Sequence, residues 1–262
     1  MLVWHWFENT SLVVQAILLL LLIILPTLVI QWIFNHSSRS REWSLGSQTT
    51  LMSAIALCFG MMASFTFVEV IKLYDRASAE VVSEASSLYA VLNLAELMPK
   101  NIKDNVVVTI RDHLIYVVDK EWPLMRNRAA DLTNRDDYFI ELYKALGGIN
   151  TNDPEQMELG KQMMAYLEAA RNAETSRLSI SNAQVHPLKW IVLFLLAILV
   201  QLALAISHAD TPKIRFLAML VFSLAVMLYF VIIVAFNHAF GGDICVSPNP
   251  MLHVLKYANT LK

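Results

Sequence analysis

The chain is 262 residues long, 56% hydrophobic and only 16% charged, with a net charge of -2 and a mean hydropathy of +0.51. Soluble domains carry about 25% charged residues, so much of this chain must meet lipid. The near-neutral balance leaves no basic footprint for nucleic acid, and two cysteines, Cys58 and Cys245, are too few for a disulfide framework or a zinc site.

Met1 to Thr10 lacks a positively charged region, and the apolar run behind it is too long for a signal-peptide core, so it reads as a retained span. Span one is Ser11 to Phe34, 24 residues with Gln15 as an early polar position and a kink expected at Pro26. Trp4, Trp6, Trp32 and Trp43 flank it, as amphipathic rings do at both interfaces. The polar connection Asn35 to Gln48 carries Arg39, Arg41 and Glu42; its shortness makes spans one and two antiparallel neighbours.

Span two, at about 49–71, holds 22 uncharged residues and one glutamate, Glu69. No Gly or Pro separates it from an amphipathic continuation with Leu73, Ala77, Val81, Ala85, Leu88, Leu92 and Ala95 on one stripe. Thr49 to about Met98 therefore reads as one helix, which at 1.5 Å per residue reaches ~75 Å. Pro99 ends it. An all-helical extramembrane unit, 72–187, follows. Val106, Ile110, Leu114 and Val117 stand at helical spacing between Asn101 and Trp122, with Pro123 expected to close that helix. The charged stretch from Arg126 to Asp137 has no period and reads as a loop or a frayed region. A short helix from Tyr138 to Leu146 is expected to end at Gly147 and Gly148 in the left-handed C-cap conformation. Asp153, Pro154 and Gln156 read as N-cap, first-turn proline and capping-box partner of a helix to about Arg177, with Met157, Met164, Leu167 and Leu178 on its apolar side.

Spans three (about 188–206) and four (about 214–236) form a tight pair, with Asp210 or Thr211 capping the fourth ahead of Pro212. A Gly- and Pro-containing tail, 237–262, includes a short helix at Met251 to Tyr257. The fold class is all-α, a polytopic membrane protein. Lys and Arg number four in the two short links and two in the C-terminal tail, which tilts the links to the inside and the helical unit to the outside.

Glu69 is the ionisable residue within span two; it either lines an aqueous mouth or is an interfacial carboxylate paired with Lys72 or Arg76. Ser53, Ala56, Gly60 and Ala63, with Ser64, make a small-residue strip that lets helices approach closely. Either the strip packs against span one or three, or span two surrounds an axis and forms a constriction at Phe59, Met62 and Thr66 that gates by dewetting. Gln15 and Gln201 are candidates for interhelical hydrogen bonds at ~1 kcal/mol each. Met157, Met163 and Met164 read as core or as a soft interaction surface. The seven histidines are scattered; His208 and Asp210 are the nearest to a metal pair, so no metal site is assigned. No phosphate-cradling loop, nucleophile elbow or Cys–His pair occurs, so neither an enzyme nor a cofactor is expected.

Several separated motifs resemble a bacterial family of four-span proteins called bestrophin-like, over about residues 50–251. They are the run of Tyr74, Ala77, Val81, Glu84, Ala85, Leu88 and Tyr89; then Pro99; Val117, Val118, Glu121, Trp122 and Pro123; Arg177, Leu178 and Ser179 ahead of Pro187 and Trp190; and Phe240, Gly242, Val246, Ser247 and Pro248. Asn237 and Ala239 depart from the pattern, where the family tends to have Asp and Pro. The resemblance implies a homo-oligomeric ion channel in the bacterial inner membrane, pentameric as in bestrophins, with lipid, inorganic ions and copies of itself as partners and span two around the pore. Bestrophins carry their bulk in the cytoplasm, against the charge count, and pass anions, whereas a ring of Glu69 would favour cations. The alternative is a membrane-anchored helical interaction or sensing module without an ion path.

Overall fold

The computed structural model describes residues 12–36, 48–130, 138–149 and 152–261, and every regular element among them is helical. Trp4, Trp6, Trp43, Arg39 and Arg41 lie outside the described residues. The helices are α1 (Leu12–His36), α2 (Gln48–Ala95), α3 (Lys100–Tyr116), a π-helical turn (Val117–Glu121), α4 (Trp122–Arg126), α5 (Tyr138–Leu146), α6 (Pro154–Ser181), α7 (Pro187–Ser207), α8 (Pro212–Phe236) and α9 (Asn249–Thr260). Four of them, α1, α2, α7 and α8, are long and apolar enough to cross a membrane, so the protein is a multi-pass membrane protein. The chain divides into two compact units, residues 1–72 with 184–237 and residues 73–183 with 238–262.

In the first unit α1 packs against α8 and α7, and α7 against α8. Pro26 lies inside α1 without ending it. Leu19, Ile23, Ala63, Val70, Leu193, Val226 and Phe230 form one apolar cluster, with Phe194 stacked on Phe230 at 4.6 Å. Lipid supplies no hydrophobic drive between helices, so polar links matter. Gln201 Nε2 donates to Ser223 Oγ at 3.0 Å and to the Ile23 carbonyl at 3.3 Å, and Ser223 bonds Thr27 at 2.8 Å. One face of α7 is thereby tied to α1 and α8. Near the α7–α8 link, Arg215 is buried without a carboxylate among the described residues. It donates to Gln31 Oε1 at 2.8 Å, the Ala209 carbonyl at 3.1 Å and Asn35 Oδ1 at 2.5 Å, and lies over the Phe34 ring at 5.3 Å. These acceptors sit at the C-terminal ends of α1 and α7, where helix dipoles concentrate partial negative charge. Thr211 is the N-cap of α8 without a side-chain cap bond, because its hydroxyl makes no bond to the first-turn N–H groups and Pro212 already removes one of them.

In the second unit the amphipathic stripe of α2 is the core: Ala77, Val81, Ala85, Leu88, Leu92 and Ala95 are buried with Val106, Ile110, Leu114 and Val117 of the next helix. Pro123 does not close that helix. A proline ring clashes with the carbonyl four residues before it. The turn widens to π geometry over Val117–Glu121, the Trp122 N–H bonds the Val117 carbonyl, and the helix resumes. Gly147 and Gly148 keep negative φ, and the helix instead closes through Gly147 N–H to the Tyr143 carbonyl at 3.1 Å. Asp153 does cap α6: Oδ1 accepts from Glu155 N at 3.0 Å, and Gln156 Nε2 reaches Oδ2 at 2.9 Å. Helix α6 continues to Ser181, past Arg177, with Gly160, Met163, Leu167 and Ala170 buried. Met157 and Met164 are exposed, one residue position off the stripe that Met163 and Leu167 define. The tail belongs to this unit, where α9 packs on α3.

Candidate functional site

The family run on α2 and the two later motifs converge on one buried ion cluster. Glu84, Glu121 and Arg177 are all buried, on α2, the π turn and α6. Arg177 Nε donates to Glu84 Oε2 at 2.6 Å and Nη2 to Glu84 Oε1 at 3.1 Å, a side-on fork; Nη2 also reaches Glu121 Oε2 at 2.8 Å and Nη1 the Met125 sulfur at 3.3 Å. The guanidinium stands 5.9 Å from the centre of the Trp122 ring, and Trp122 meets Phe240 edge-on at 5.7 Å. A planar fork of five donors is what lets one cation serve two carboxylates without water.

The geometry sets the charges. Burial alone would push the Glu84 carboxyl up, but the Arg177 guanidinium and the His113 ring beside it outweigh burial and hold it below the usual carboxylate range. For Arg177, burial works against the charge and is overcome by Glu84 and Glu121, which push it above its usual value. His113 is buried with Nε2 3.6 Å from Glu84 Oε1. It was one of seven scattered histidines in the sequence. The signal that could have singled it out is its place beside Ile110, Leu114 and Val117 on the apolar side of α3, where a histidine needs a polar neighbour.

Other motif residues lie outside the ion cluster. Tyr74 packs against the core and lines an open depression on α2 with Asp75, Ser78 and Ser83. Gly242 has φ +79, a conformation that favours glycine, and Val246 N–H bonds the Ala239 carbonyl at 2.8 Å to close the turn after Phe240. Pro248 is the N-cap of α9. In the membrane unit, Asn237 Oδ1 accepts from Val185 N–H at 3.1 Å, so the amide occupies the place of an acidic acceptor.

The membrane candidates fall on two sides of α2. Phe59, Met62 and Thr66 turn toward the other spans of their own chain: Phe59 meets Phe222 at 5.7 Å and Tyr229 at 6.4 Å, Met62 packs on the apolar cluster, and buried Thr66 donates to the Met62 carbonyl at 2.9 Å. The small-residue strip is divided, with Ala63 buried, Ala56 half-buried, and Ser53 and Gly60 exposed. Glu69 pairs with Lys189 at the start of α7, not with Lys72 or Arg76; Arg76 is turned to Glu80 on its own helix at 3.7 Å. His208 Nδ1 faces the Leu204 carbonyl at 3.1 Å, and no three potential metal ligands converge among the described residues.

Four apolar membrane-crossing helices and a helical unit continuous with the second of them define a polytopic all-α membrane protein. The bestrophin-like domain family matches residues 21–251, and the chain belongs to that family. The match takes in the later part of span one, ahead of the residue 50 at which the motifs begin. Two crystal structures of a bacterial bestrophin homologue from Klebsiella pneumoniae, each with one mutation, share the fold: one at TM-score 0.71 and 10% identity over 97% of this chain and 98% of that one, the other at 0.68 and 10% over 94% and 98%. A membrane-protein crystal structure gives TM-score 0.69 and 10% identity over 94% and 98%. No curated protein matches the chain.

Proposed function

We propose that the chain is a homo-oligomeric ion channel of a bacterial inner membrane, pentameric like the bestrophins it resembles, with the membrane part of α2 lining the path. The observation that carries this reading is the open side of α2. Leu57, Met61 and Val68 are 64%, 52% and 43% exposed, with Ser64 exposed among them, at spacings of four, three and four. Residues at that spacing share one helix face. The face opposite holds Phe59, Met62 and Thr66, already occupied within the chain, so the constriction is assigned to Leu57, Met61 and Val68 instead. Apolar side chains there would gate by dewetting, with Ser64 as a hydroxyl step between them. Family membership and the shared fold support the channel reading.

Particle mass and image symmetry in lipid discs test the assembly, and current across planar bilayers tests the path. In a Cys58→Ser, Cys245→Ser background, which removes both exposed thiols, Met61→Cys is expected to react with a water-soluble thiol reagent and to lose current when it does. A monomer with lipid around every span, or no current across pH and ionic conditions, overturns the channel and leaves the anchored interaction module.

A further inference from the structure

The buried cluster carries an unbalanced charge. Arg177 supplies one positive charge against two negative ones from Glu84 and Glu121, all inside the helical unit. An uncompensated charge in a low-dielectric core is costly, and the surroundings respond by changing a protonation state. Among the described residues outside the cluster, one neighbour is placed to offer that response. His113 is 1% exposed, its Nε2 is 3.6 Å from Glu84 Oε1, and neither ring nitrogen has a hydrogen-bond partner. On its other side α5 presents the rings of Phe139 at 5.3 Å and Tyr138 at 5.6 Å, which bring no formal charge. Adjacent Asp112 is exposed and held by Arg111, and buried Glu174, one turn before Arg177, is engaged with a partner of its own.

We propose that His113 is a proton switch for the helical unit: a second proton, taken from water onto its bare ring nitrogen, completes a neutral quartet with Glu84, Glu121 and Arg177 and tightens the hold on α2. Losing that proton leaves one surplus negative charge in the core. The groups involved sit on α2, α3, the π turn and α6, so the strength of the switch sets how firmly the extension of a membrane helix is held in the second unit.

The full chain in detergent, unfolded by heat at pH 5.5 and 7.5, tests this. The midpoint is expected to fall by roughly 3 °C on the rise in pH. His113→Gln and Glu121→Gln should each flatten that dependence, the second because it removes the surplus charge without touching the ring, and the double variant should be no flatter than either. A wild-type slope that persists in His113→Gln overturns the proposal. Should the variants fail to fold, ring nitrogen shifts of labelled wild-type protein decide: His113 is the buried histidine among the described residues, so its signal is the one shielded from a soluble paramagnetic agent. An imidazolium at pH 5.5 supports the switch, and a neutral ring there overturns it. Both readouts concern folding and ring charge, so they stand or fall apart from conduction.

Discussion

Arg177 and Glu84, 93 residues apart in sequence, meet as a side-on fork of 2.6 and 3.1 Å in a core from which water is excluded. This contact joins the helix that continues out of the second span to α6. Glu121 fills the remaining side of the same guanidinium at 2.8 Å. Breaking one arm leaves buried charge unpaired. Arg177→Met is expected to cost about 3–5 kcal/mol, more than Arg171→Met on the exposed side of the same helix, which should stay within about 0.5 kcal/mol. Thermal or denaturant unfolding of the purified chain measures the difference. Arg177→Lys should recover little, because an ammonium cannot fork onto Glu84 while reaching Glu121.

The same pair sets an acid limit. The carboxyl of Glu84 is held below its ordinary value near 4.5, so the unfolded chain takes up the proton first. Its contribution is fully present above that value and is lost as pH falls through the lower folded one. The stability gap between wild type and Glu84→Gln is therefore expected to shrink between about pH 5 and pH 3, read as unfolding midpoints of both proteins. A gap that widens on acidification would contradict the assignment.

Two glycines in the turn after Phe240 should respond differently. A Cβ at Gly242 meets nothing within 4 Å, but φ is +79, so Gly242→Ala costs about 1–2 kcal/mol from backbone strain alone. At Gly241 the Cβ would stand 2.4 Å from the His238 ring and 3.0 Å from the Arg126 carbonyl. The ring can move and the backbone yields less, so Gly241→Ala is expected to disturb the turn itself, visible as faster amide exchange at Val246, whose N–H closes it.

Glu69 and Lys189 form an ion pair in the membrane unit. If ions pass beside them, each side chain cancels the other in the wild type. Glu69→Gln leaves a lysine without its acid and should shift the permeability ratio toward anions; Lys189→Met should shift it toward cations. Reversal potentials in asymmetric salt report the sign. No shift in either variant would place the pair away from the ion path.

Gln201→Leu removes the donor that ties α7 to Ser223 and to the Ile23 carbonyl. Between membrane helices such bonds contribute about 0.6–1 kcal/mol. The variant should unfold slightly earlier in denaturing detergent, with the Thr27 and Ser223 pair retained.

The sequence by itself determined the four spans, the continuity of α2 and the composition of its core stripe. Those follow from length, hydropathy and a 3.6-residue period, all local properties of the chain. The Asp153 cap was legible for the same reason, since its donors and acceptors lie within three residues. The local rule that proline stops a helix does not decide Pro123, because a widened turn is a second solution and the chain takes it. The side of α2 that carries Phe59, Met62 and Thr66 was equally undetermined: period says which residues share a face, and the neighbouring spans decide which face is covered. The family motifs marked Glu84, Glu121 and Arg177 separately. That they are one cluster, with His113 as its fourth member, is a fact of tertiary structure, because a buried charge is tolerable only where distant helices bring its partners within hydrogen-bond reach.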